Sequence, residues 1–137
     1  MASCNWCDKP SERKLCEDCY KRAISIPALS VEERDDLPYG VIELDADGKI
    51  LAFNNAEERQ SRQSAQNVIG KNFFRDVAPC TQVKEYAGRF KEFLTSDKPS
   101  TQFSFTYVLP HGRFPIHIML VRARRSTVLI VSKMRAA

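Results

Sequence analysis

The 137 residues predict an α+β fold, a five-stranded antiparallel sheet with helices on one face, preceded by a small N-terminal cysteine-rich unit. Three observations carry this reading. Four of the five cysteines lie within the first 19 residues, as Cys4-x2-Cys7-x8-Cys16-x2-Cys19. Late in the chain Phe103, Phe105, Tyr107 and Leu109 alternate, Ile116, Ile118 and Leu120 alternate again, and Val128-Leu-Ile-Val is continuously apolar. Between these regions, Val41-Ile-Glu-Leu-Asp and Lys49-Ile-Leu-Ala-Phe flank Ala46-Asp47-Gly48, a hairpin turn in which Asp-Gly is expected to supply positive φ angles.

Composition narrows the class. With 43% hydrophobic and 28% charged residues the chain suits a soluble globular protein with one modest core, which excludes a disordered or collagen-like molecule. No run approaches the roughly 20 apolar residues of a membrane span, and Met1-Ala-Ser-Cys-Asn-Trp lacks the basic and apolar regions of a signal peptide. A cytoplasmic protein is expected. The formal net charge is +4 with protonated thiols; four thiolates on one zinc ion would lower it to about +2. The late basic residues Arg122, Arg124, Arg125, Lys133 and Arg135 have no interleaved exposed aromatics. They read as a solvated sheet edge and tail, and nucleic acid is not an expected partner.

Residues 1–23 are expected to form a four-cysteine zinc finger. Two Cys-x-x-Cys pairs suit a tetrahedral ion, because each pair wraps backbone amides around its sulfurs and a short loop brings the pairs together. Cys4, Cys7, Cys16 and Cys19 are the candidate ligands. Four thiolates leave no open position for substrate, so the zinc is structural. Asp8 fits a knuckle position that takes the left-handed conformation. A redox dithiol would want a βαβ context that is absent, and a reducing cytoplasm disfavours disulfides. Cys16-Glu-Asp-Cys is expected to open a short helix with acidic residues in its first turn.

Residues 24–37 read as a linker. Pro27 interrupts a helix from the finger, and Ser30 with Glu33 forms a capping-box signal for one turn of helix. The second domain spans 38–135. After its hairpin, Asn54-Asn-Ala-Glu-Glu starts a short polar helix and the stretch to Gly70 is irregular. Val83, Tyr86, Ala87, Phe90, Phe93 and Leu94 recur at helical spacing, predicting an amphipathic helix over 83–95 on the sheet. Pro110-His-Gly-Arg and Arg124-Arg-Ser-Thr make the last two turns. His111 and His117 read as turn and sheet-face residues. The sequence shows no nucleophile, base and orienter trio, no glycine-rich phosphate loop and no HExxH, so an enzyme is not expected.

The element order resembles the PAS sensor fold, as does Leu44-Asp-Ala-Asp-Gly-Lys-Ile-Leu-Ala-Phe-Asn-Asn-Ala-Glu57. More specific is Val68-Ile-Gly-Lys-Asn-Phe-Phe-Arg-Asp-Val-Ala-Pro-Cys80-Thr81, followed by Gly88-Arg-Phe-Lys, which is similar to the photoactive yellow protein family. The resemblance covers roughly residues 37–134 and leaves the finger outside. It implies that Cys80 carries a 4-hydroxycinnamoyl (p-coumaroyl) group as a thioester and that Glu57 hydrogen-bonds its phenolate. Phe53 stands where that family has a tyrosine donor, Ser61 matches a threonine of the same network, and Gln63 replaces an arginine placed over the pocket. The missing donor at Phe53 costs a buried phenolate on the order of 1–3 kcal/mol unless another group substitutes.

Two functions follow. One is a blue-light receptor with the cinnamoyl thioester at Cys80. The other is a light-independent PAS module that binds no chromophore, recognises a protein or builds an assembly, and keeps Cys80 as a small buried hydrophobe. Either signals by contact with a protein partner through the finger, the linker or the open sheet face, a homodimer included, with no membrane.

Overall fold

Strands β1 (Gly40–Leu44), β2 (Ile50–Phe53), β3 (Ser100–Leu109), β4 (Gly112–Arg122) and β5 (Thr127–Lys133) form one sheet in the order β2-β1-β5-β4-β3, with every neighbouring pair antiparallel. The structure is a computed structural model and describes residues 4–7 and 15–134, so Asp8 and Arg135 lie outside the described residues. Alternation along the strands sorts side chains onto two faces. Ile42, Leu44, Phe103, Tyr107, Ile116, Ile118, Leu120, Leu129 and Val131 point inward, into a core with Phe73, Phe74, Tyr86, Phe90 and Phe93 from the segment that crosses this face.

The opposite face is not open. Val41, Met119, Val121, Val128 and Ile130 are each at most 2% exposed, packed under Cys4, Leu15, Cys16, Cys19, Ala23 and Ile26. The N-terminal unit, with helix α1 (Glu17–Ser25), therefore covers the second face of the sheet. This corrects the expected open sheet face as a route to partners. The physical sign was already in Val128-Leu-Ile-Val, since a strand without a polar position is one buried on both sides.

Helix α2 (Val31–Asp35) starts with the expected capping box, in which the Ser30 hydroxyl accepts from Glu33 N and the Glu33 carboxylate from Ser30 N. Its Arg34 is 8% exposed; it donates to the Glu43 carboxylate at 2.8 Å and to the Pro27 carbonyl at 3.1 Å, tying residues 24–37 to β1. Asn54 then joins three elements. Its side chain accepts from Val41 N and from Glu57 N, capping α3 (Asn55–Ser61), and donates to the Arg34 and Tyr39 carbonyls. Replacing Asn54 by Ala strands two buried amides and two carbonyls at once, so chemical denaturation should show a loss of about 2 kcal/mol. A loss below about 0.5 kcal/mol would show that water replaces the side chain.

Three local expectations change. In the β1–β2 turn only Gly48 takes a positive φ, 89°, because the Asp45 carboxylate accepts from Asp47 N and Lys49 N and shapes the turn with its side chain. The stretch before Gly70 contains α4 (Ala65–Val68), capped by Ser64. The helix expected over 83–95 runs from 84 to 95, but its first turn, Lys84–Gly88, is a wide π turn that passes directly into α5, Arg89–Thr95. Val83 is extended and 42% exposed, outside the apolar face, while the widened turn carries Tyr86 fully into the core.

Arg122 also departs from a solvated edge. It donates to the Phe93, Ser96 and Lys98 carbonyls and lies 4.4 Å from the centre of the Phe93 ring, closing the C-terminal end of α5.

Candidate functional site

An open-mouthed cavity of about 790 Å³ lies between helix α3 and the sheet, and its walls include Phe53, Glu57, Ser61, Gln63 and Tyr107. Glu57 sits in the first turn of α3, placed by the Asn54 cap, and is 3% exposed. Its Oε2 has no hydrogen-bond partner among the described residues. Burial pushes this carboxyl up to about 8, so at neutral pH it keeps its proton. Gly40 makes room for it, since a Cβ there would collide with Glu57 Oε2.

Cys80 lies in the 3-10 turn Pro79–Thr81, half-buried against the same core. Thr81 holds this turn by donating to the Ala78 carbonyl at 2.7 Å, and Val108 N faces Cys80 Sγ at 3.5 Å. The thiol is free, and it sits beside the cavity rather than in its wall. Of the remaining candidates, Phe53 is 7% exposed and offers no donor. Ser61 keeps a hydroxyl but donates it to the Glu57 carbonyl at 2.7 Å. Gln63 reaches the Val77 carbonyl at 3.4 Å. His111 pairs with the Gln60 carbonyl and His117 with Gln102.

Two residues escaped the sequence reading. The hydroxyls of Tyr86 and Tyr107 are 2.8 Å apart in the buried wall behind the cavity. Their spacing marked them as core, and nothing in an alternating strand distinguishes a tyrosine that packs from one that also donates.

The cysteines meet on the other side of the sheet. The sulfurs of Cys4, Cys7, Cys16 and Cys19 all lie within 4.8 Å of one another, with Cys7 and Cys16 at 3.6 Å. A tetrahedral ion with bonds of about 2.3 Å needs sulfurs about 3.8 Å apart, so the set can hold one metal ion. Trp6 N points at Cys4 Sγ at 3.4 Å, the amide arrangement expected of a knuckle. Burial opposes ionisation of Cys4, yet the amides of Cys16, Cys7 and Trp6 hold its thiol down at about 6. Burial and the three neighbouring sulfurs push Cys19 the other way. A divalent cation removes that mutual repulsion. The residues inside the first pair anchor the unit: Asn5 and Trp6 both donate to Ser132 Oγ, and the Trp6 ring stacks on Tyr39 at 4.0 Å.

A five-stranded antiparallel sheet in the order β2-β1-β5-β4-β3, with helices across its inner face, is the architecture of a PAS sensory domain. The chain belongs to the PAS-fold family, which matches residues 32–130. Within it, the chain belongs with the photoactive yellow proteins. It is 43% identical to the photoactive yellow protein of Halochromatium salexigens over 96 residues, covering 69% of this chain and 77% of that one. It is 47% identical to that of Rhodothalassium salexigens over 86 residues, 61% of this chain and 69% of the relative. Among solved structures it is similar to the photoactive yellow protein domain of the sensor histidine kinase Ppr from Rhodospirillum centenum. That match has a TM-score of 0.74 and 32% identity, over 80% of this chain and 97% of the other. No helix among the described residues is long and apolar enough to cross a membrane.

Proposed function

We propose that this chain is a blue-light sensor, not an enzyme, that carries a 4-hydroxycinnamoyl group on Cys80 and a structural zinc ion on Cys4, Cys7, Cys16 and Cys19. The observations that support the first half are the buried Glu57 on the pocket wall, its Oε2 without a hydrogen-bond partner among the described residues, and the one cysteine outside the cluster beside that pocket. A carboxyl in that state costs stability unless a ligand uses it. When bound, the group supplies a double bond that light isomerises. Glu57 would hold the proton that a phenolate oxygen accepts, and Phe53 and Phe73 would exclude water from that oxygen.

The acylation balances simply. The Cys80 thiolate, its proton released to solvent, attacks the carbonyl carbon of an activated 4-hydroxycinnamic acid; the S–C bond forms and the leaving group departs with its electron pair. The anhydride mixed with folded protein should therefore add one group at Cys80 by intact mass, and none at that position in Cys80→Ala. Metal-bound thiolates are poorer nucleophiles, so labelling is selective. Modification of Cys80 only after denaturation would overturn the receptor, leaving the chromophore-free PAS module.

Signalling is assigned to protein contact in a reducing cytoplasm, through the finger and residues 24–37, where Ile24 and Val31 are 43% and 66% exposed. A second copy of the chain is one partner this route allows. DNA binding should be weak and strongly salt-dependent.

A further inference from the structure

The cavity wall and the layer behind it carry more hydroxyl protons than the hydrogen bond between them consumes. Tyr86 and Tyr107 bring two hydroxyl protons to a pair that uses one of them. Tyr86 is fully buried, with the rings of Phe73, Phe74, Phe103 and Phe105 around it at 5.1–5.9 Å. Among the described residues its hydroxyl has one hydrogen-bond partner, Tyr107. Tyr107, in contrast, is part of the cavity wall together with Glu57 and Phe53. Either hydroxyl can donate across this pair; with Tyr86 as the donor, the Tyr107 proton is left for the cavity.

We infer that Tyr107, oriented and polarised by Tyr86, is a ligand-binding donor that serves an anionic oxygen in the cavity beside Glu57 and replaces the donor missing at Phe53. The inference rests on the ligand reading above. Burial pushes both phenols well above their ordinary value, so each stays a donor throughout the working pH range. Both also feel the Glu57 carboxyl and the Cys80 sulfur, the two groups assigned to the ligand. A donor already aligned in an apolar wall needs no reorganisation when the ligand enters.

The other charged or titratable groups facing the cavity are Tyr39, Arg59, Arg62, His111 and Lys133. None is altered when Tyr107 loses only its hydroxyl. The test is a pH titration of the visible absorption of protein acylated at Cys80 with activated 4-hydroxycinnamic acid. In Tyr107→Phe the midpoint between neutral and anionic adduct should rise by about one unit, a tenfold change in proton affinity. Tyr86→Phe should give a smaller rise in the same direction, since Tyr107 keeps its hydroxyl but loses its orientation. Adding Phe53→Tyr to Tyr107→Phe should bring the midpoint back down, which a packing defect would not do. An adduct whose midpoint ignores Tyr107→Phe overturns this inference alone. Absence of any adduct in folded wild-type protein overturns the ligand reading and this inference with it.

Discussion

Removing metal from the cysteine cluster is expected to lower the melting temperature of the whole chain by more than about 10 °C, not merely to free its first residues. The sheet explains the size. Cys4, Cys16 and Cys19 belong to the same apolar cluster as Val41, Met119, Val121, Val128 and Ile130 of the sheet. Burial of one such sheet side chain is worth about 1.5–3 kcal/mol, so uncovering this face costs several kcal/mol even after the loosened segment recovers its entropy. Four bonds to one metal ion would hold the covering unit together, whereas the thiol contact between Cys7 and Cys16 at 3.6 Å is a far weaker link between the two pairs.

Metal analysis should find one zinc per chain, and chelation should change the fluorescence of Trp6, the single tryptophan, as it leaves the Tyr39 ring. Exposed β-sheet surface of this kind also associates, so the stripped protein should bind hydrophobic dye and self-associate in sedimentation. Cys16→Ser with Cys19→Ser should reproduce the whole set. A chelated protein with unchanged melting temperature and unchanged Trp6 emission would show that the cluster needs no ion.

The second large effect is a fall in apoprotein stability as pH rises from about 5 to 9. The Glu57 carboxyl sits at about 8 in the folded chain, against an ordinary value of 4.5. Between those values the folded state keeps a proton that the unfolded state has released. The contribution of Glu57 to stability is therefore full below about pH 4.5 and is lost through pH 8, by about 1.4 kcal/mol per unit at most and on the order of 3–5 kcal/mol in all. The cause is desolvation: ionised Glu57 would be a charge in the protein interior without a partner among the described residues. Urea midpoints measured at pH 6 and pH 9 should differ strongly for the wild type and little for Glu57→Gln. Parallel pH curves for the two proteins would sink the assignment.

Much of this is legible in the sequence. The apolar periods of two along residues 103–109 and 116–120 determined strands, because a half-buried pleated surface admits no other pattern. The cysteine spacing determined the cluster, since two short knuckles joined by eight residues have few ways to avoid meeting. Glu57 and Cys80 were found by resemblance, not by periodicity. The Ser30 capping box and the Asn54 helix start were read correctly because their hydrogen bonds join residues three apart.

What escaped the sequence is what joins distant segments. That α1 would lie on the sheet depended on the packing of Ala23 and Ile26 against strands more than ninety residues away as well as against nearby Val41. Arg122 seemed a surface charge until β4 brought it to the open carbonyls at the end of α5. Tyr86 and Tyr107, 21 positions apart, became a donor pair only when a widened turn lowered one ring onto the other strand. Local rules act over a turn of chain, whereas a buried hydroxyl or a covered face is settled by which surfaces must leave water together.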